Sequence, residues 1–106
     1  MAVINICNVE ELGTPLGQYH HMTRVKAGEF LFIAGMLSSD SNGNVIGDGD
    51  FAAQCRQVFA NLHVALRSAG ADWPNVVQFT TYLVHSQSIP SFMEVLASRI
   101  PKDVPG

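Results

Sequence analysis

The sequence is poor in charge. Only 14% of its 106 residues are Asp, Glu, Lys or Arg, where soluble domains average about 25%. A small chain has much surface to cover, so part of that surface is expected to be covered by other subunits. Positive charge is scarcest, with six Lys and Arg against nine Asp and Glu and a net charge of −3. No basic field exists to steer a nucleic acid or an anionic membrane. Cysteine is also sparse. Cys7 and Cys55 form no metal or redox spacing, and two free thiols in a reducing compartment are expected. No apolar run approaches the roughly 18 residues of a membrane span, and the first residues lack a signal peptide's basic and apolar regions. GxSxG, P-loop and GxGxxG patterns are absent. The bulk properties indicate one soluble, cytoplasmic-type domain over residues 1–106.

What is present is a core. Hydrophobic residues make up 47% of the chain. Val3 to Cys7 alternates loosely and reads as a strand. Gly13 to Gly17 is turn chemistry. Tyr19 to Lys26 reads as a half-exposed strand, and Ala27-Gly28-Glu29 as a tight connection that folds Phe30 to Ala34 back onto it as a hairpin. Ser38 to Gly49 is a polar loop with an Asn42-Gly43 turn and a brief strand at Val45-Ile46. The clearest element runs from Asp50 to Ala69. Phe51, Cys55, Val58, Phe59, Leu62, Ala65, Leu66 and Ala69 follow helical spacing, with Gln54, Arg56, Gln57, Asn61, Arg67 and Ser68 on the wet side. Asp50 is the expected N-cap and Gly70 the residue that ends the helix. Val76 to Val84 is rich in β-branched and aromatic residues and reads as a central strand. Ser88 to Ile100 reads as a second helix, capped by Ser88, with Pro90 in its first turn and Phe92, Val95, Leu96 and Ile100 inward. Pro101 to Gly106 is a loop signal.

The fold class is therefore α+β. Two helices cover one face of a sheet, yet Phe30 to Ala34 and Val76 to Val84 are apolar on both faces. A sister subunit is the economical cover for the second face.

Several pieces then match a known family in order and spacing. They are Gly17-Gln18-Tyr19, Phe32-Ile33-Ala34-Gly35, Ala53 to Val58 with Asn61-Leu62, Ala69-Gly70-Ala71, and Val76 to Leu83. Together they resemble the RidA family, also called YjgF or the L-PSP endoribonuclease family, over Pro15 to Ile100. The resemblance implies a chorismate-mutase-like mixed sheet with two helices packed on one face. It implies a homotrimer with clefts between subunits and no cofactor, acting on a small, carboxylate-bearing metabolite. Family members often hydrolyse enamines and imines to keto acids and ammonia. The family's carboxylate-binding arginine and water-positioning glutamate lie on strands after the second helix, so the closing strands are expected past Gly106.

By resemblance, Tyr19 is the cleft tyrosine and Gly35 the glycine whose backbone lines the pocket. Ala34 and Met36 stand where the family usually has serine and glutamine. Met93 replaces an asparagine on the second helix, and Leu96 the tyrosine after it. Tyr19, Gly35, Met36 and Met93 are thus the expected substrate-binding positions, in a pocket more apolar than usual, and no catalytic residue is assigned. A non-catalytic ligand-binding or regulatory trimer is the alternative, and ribonuclease activity is disfavoured by the acidic balance. His20 and His21 point to opposite strand faces and cannot chelate one ion, so one exposed and one packed histidine are expected. His63 and His85 stand alone without ligand spacing, and no metal site is expected. Arg24 is a solvated strand charge or, less simply, a substitute anchor for a carboxylate.

Overall fold

The computed structural model describes residues 3–15 and 19–101. Its first strand, β1 (Val3–Cys7), pairs antiparallel with β2 (Met22–Lys26), in a register that sets Val3 opposite Lys26 and Cys7 opposite Met22. The long connection is tied back to the strands. The His21 N–H donates to Asn8 Oδ1 at 3.0 Å, and the Val9 N–H donates to His21 Nδ1 at 2.8 Å.

Helix α1 (Phe51–Ser68) forms where the periodicity placed it. Asp50 caps it, its side chain accepting the Ala53 N–H at 3.1 Å. Gly70, at φ 79°, ends it. The Gly70 N–H bonds the Arg67 carbonyl and the Ala71 N–H reaches back to Leu66, the paired bonds of a Schellman motif. Helix α2 (Ile89–Arg99) follows a short turn at Ser86–Ser88, with proline in its first turn. Ser88 occupies the N-cap position but makes no side-chain cap bond, because its backbone is already helical within that preceding turn.

The helices pack on each other. Cys55, Phe59 and Leu66 of α1 join Val95 of α2, Ile100 and Trp73 as the buried core. The Phe59 and Phe92 rings stack at 6.1 Å between centroids. Ile33, Val76 and Phe79 extend the core from the segments between the regular elements.

Two strand expectations are corrected. β2 pairs with β1 and not with 30–34, and neither 30–34 nor 76–84 joins a ladder among the described residues, so the described sheet is two-stranded and antiparallel. Strand-like composition reports fitness for a packed pleated surface more than a backbone preference. Here Phe32, Tyr82 and Val84 are 92%, 90% and 92% exposed, so their outward faces are left uncovered by the described residues. The expected turn at 13–17 lies outside the described residues at 16 and 17, and the expected final loop at 101–106 lies outside them from 102 onward.

No described helix is long and apolar enough to cross a membrane. Cys55 is buried and Cys7 exposed, both as free thiols. Burial pushes the Cys55 thiol up from its ordinary pKa.

Candidate functional site

The chain leaves the core at Ile33 and runs through Gly35 to a polar hairpin. The Asn42-Gly43 turn forms as its composition required, with Gly43 at φ 82° and a bridge between Ser39 and Val45. Asp40 organises the turn. Its Oδ1 accepts the N–H groups of Asn42 and Asn44 at 2.8 and 2.9 Å, and its Oδ2 accepts Asn44 Nδ2 at 3.3 Å. These bonds, led by the Asn44 N–H, hold the Asp40 carboxyl below the usual carboxylate range.

Helix α1 grips this hairpin through amide side chains. Gln54 Nε2 donates to the Gly47 carbonyl at 3.0 Å. Asn61 Nδ2 donates to the carbonyls of Leu37 and Ser39 at 3.0 and 2.9 Å. Gln57 Nε2 donates to Asn61 Oδ1 at 2.8 Å, which fixes the direction of the amide. Gly47 lets the hairpin approach. At φ 76°, an added Cβ would lie 2.9 Å from the Ala53 Cβ.

Between hairpin and helix lies an open cleft of about 370 Å³, lined by Gly35, Met36, Leu37, Ser39, Asp40, Ser41 and Asn61. One wall is apolar, from Met36 and Leu37. The other presents an anionic carboxylate and two serine side chains, with the Asn61 amide already committed to protein bonds. Among these lining residues the ionisable one is Asp40, and its oxygens are occupied by the turn. Such a wall can hold and orient a ligand. It contains no base poised near neutrality.

The structure brings two of the four expected binding positions together, Gly35 and Met36. Tyr19 is 40% exposed, ahead of β2, and Met93 is half-buried on α2. Neither lines this cleft. Arg24, Arg56 and Arg67 are exposed. The histidine pair divides differently from expectation. Both residues are half-buried, His21 accepting the Val9 N–H while both ring nitrogens of His20 are buried without a partner. No group of three His, Cys, Asp or Glu that could hold a metal occurs among the described residues.

Two residues escaped the sequence reading. Asn61 appeared as wet helix surface, and its partners lie 22 and 24 residues away. His63 appeared solitary, yet it pairs with Asp72 and stacks on Trp73. Only the Asn61-Leu62 step of the resemblance marked the first, and no local signal marked the second.

The architecture is that of an α+β domain with a two-helix layer and an open cleft beside the first helix. The sequence profile described as Endoribonuclease L-PSP matches residues 11–105. A RutC family protein of Pyrococcus horikoshii is 34% identical over 110 residues, covering 90% of this chain and 86% of the relative. The 3-aminoacrylate deaminase RutC of Acinetobacter baylyi is 29% identical, covering 88% of this chain and 74% of that protein. The crystal structure of YyfB from Yersinia pestis, described as a protein of unknown function of the conserved Rid family, superposes with a TM-score of 0.82 at 30% identity. That match covers 90% of this chain and 74% of YyfB. The chain belongs to the Endoribonuclease L-PSP family, that is, to the RidA/YjgF or Rid proteins.

Proposed function

We propose that this protein is an enamine/imine deaminase, assembled as a homotrimer whose neighbouring subunits complete the Gly35–Met36 cleft. The observation that carries the reading is continuity. The cleft wall at Gly35 and Met36 is the direct extension of the segment in which Phe30, Leu31 and Phe32 are 61%, 55% and 92% exposed. Apolar surface of that extent calls for a partner, and a copy seated there would close the open side of the cleft. The likeness to a relative named as a 3-aminoacrylate deaminase supports the chemistry.

The chemistry asks little of the protein. Protonation of an enamine at carbon gives an iminium ion, and water adds to its electrophilic carbon. Loss of ammonia then leaves the carbonyl, so imine and water become ketone and ammonia. A site that orients the substrate and admits one water supplies much of the advantage. Met36 and Leu37 would hold the apolar part of the substrate, and the backbone at Gly35 would approach its reacting end. The seven lining residues include no cation, so a substrate carboxylate would find its counter-charge outside this wall.

The test is ammonia release from freshly generated 2-aminoacrylate or 2-iminopropionate, beside the mass in solution by light scattering. Release above the uncatalysed rate from a trimer supports the reading. The absence of an ionisable lining residue other than Asp40 favours one alternative, a non-catalytic binding trimer. Saturable binding of the keto-acid product without ammonia release would establish it.

A further inference from the structure

The cleft wall hangs on one amide. Between Phe30 and Met36 the described backbone makes no ladder or turn bond. The wall is moored to α1 at the next residues, where both N–H groups of Asn61 Nδ2 are spent on the carbonyls of Leu37 and Ser39. An amide nitrogen has two donors, so this pair saturates it. The amide is also held from behind, its Oδ1 accepting Gln57 Nε2 from one turn earlier on the same helix. Asn61 lines the cleft that it supports. The Asn61 side chain is therefore both the floor of the cleft and the peg that fixes the distance between helix and wall.

We infer that Asn61 is a positioning residue for this site. Through Leu37 and Ser39 it sets where Gly35 and Met36 stand relative to the bound molecule, and Gln57 locks it in the donating orientation. The inference rests on the reading of the Gly35–Met36 cleft as the imine site. Its geometric half does not depend on turnover. The alternative is an ordinary stabilising contact, of the kind that Gln54 makes to the Gly47 carbonyl on the same helix. Those two roles separate experimentally, because only a positioning residue changes the reaction beyond what lost stability explains.

The experiment compares Asn61→Asp, Gln57→Ala and Gln54→Ala with the wild type. Aspartate keeps the shape of asparagine but faces the two carbonyls with an oxygen. Asn61→Asp should shift the amide NMR resonances of Gly35 and Met36 and lower kcat on 2-iminopropionate by about tenfold or more, the worth of one to two net hydrogen bonds. Its helical circular dichroism should be retained. Gln57→Ala, which leaves the donors in place but free to turn, should give smaller changes of the same kind, and it serves if the aspartate variant fails to fold. Gln54→Ala should lower the melting midpoint while kcat stays within about twofold. Unmoved Gly35 and Met36 resonances in the Asn61 and Gln57 variants would overturn the inference. So would a kcat that falls no further in these variants than in Gln54→Ala. If the wild type itself releases no ammonia, the deaminase reading fails, and the resonances alone decide whether Asn61 places the wall.

Discussion

His63 of α1 meets Asp72 of the following turn, Nε2 to Oδ1 at 2.8 Å. The histidine ring also stacks on Trp73, 5.0 Å between centroids and 18° between planes. Asp72 is the hub of this corner. Its carboxylate accepts the Trp73 N–H at 2.8 Å. Asp72 and Asn75 also form a capping box, in which the Asp72 side chain accepts the Asn75 N–H and Asn75 Oδ1 accepts the Asp72 N–H at 3.0 Å. The Trp73 N–H, followed by His63, holds the Asp72 carboxyl below the usual carboxylate range.

The sign of the pH dependence follows. A carboxyl lowered in the folded state contributes stability that is complete above its unfolded pKa and is lost as pH falls through the folded value. Asp72→Asn should therefore melt below the wild type at pH 7, and the gap should narrow as pH falls below about 4. Melting curves of both proteins from pH 7 to pH 3 check this. A gap of constant size across that range would contradict it.

Gly47 and Gly70, two of the glycines at positive φ near the ends of α1, should respond unequally to alanine. Gly70, at φ 79°, has nothing within 4 Å of an added Cβ, so Gly70→Ala costs only the left-handed backbone, about 1–2 kcal/mol. Gly47→Ala adds a clash with the Ala53 Cβ at 2.9 Å and the Gln54 nitrogen at 3.0 Å. It should cost more than Gly70→Ala in urea unfolding and loosen the hairpin that carries the cleft. Equal costs would mean that the hairpin yields freely.

Phe59 is the aromatic anchor of the helix pair, 7% exposed and stacked on Phe92. Phe59→Ala should cost about 3–5 kcal/mol in chemical denaturation. Phe59→Leu, closer in volume, should cost less than about 1.5 kcal/mol. A small loss for alanine would mean that the helices close over the cavity or are held elsewhere.

The uncovered apolar face should govern assembly. Phe32→Glu introduces charge where the side chain is 92% exposed, ahead of the cleft wall. It should convert the proposed trimer to a smaller species in light scattering and weaken the melting temperature's dependence on protein concentration. Val64→Glu, at a 69% exposed position on α1, should leave the mass unchanged. The reverse pattern would move the subunit interface to the helix layer.

Local chemistry made much of the fold legible. Asp50, Gly70 and the apolar stripe of α1 act through neighbours within a few residues, so the pattern and the structure coincide. The Asn42-Gly43 turn was readable for the same reason. The pairing of β2 was not, because Val3 to Cys7 and Phe30 to Ala34 both suit it and only long-range geometry chooses between them. At the site, Gly35 and Met36 were legible through the resemblance. Asn61 was not legible as a mooring, since an amide on a helix's polar stripe looks the same whether it faces water or two carbonyls from a distant hairpin. His63 was hidden likewise, its partner lying beyond the helix end.

The most direct test fills the cleft. Met36→Trp should place an indole beside Leu37 in the roughly 370 Å³ space and leave the Asn61 bonds in place, and ammonia release from 2-iminopropionate is followed for both proteins at equal protein concentration. If the Gly35–Met36 cleft is the site of imine hydrolysis, the wild type accelerates release in proportion to its concentration and saturably with substrate, and Met36→Trp loses that acceleration while keeping its mass and melting profile. Release at the uncatalysed rate with the wild type, or undiminished catalysis by Met36→Trp, contradicts it.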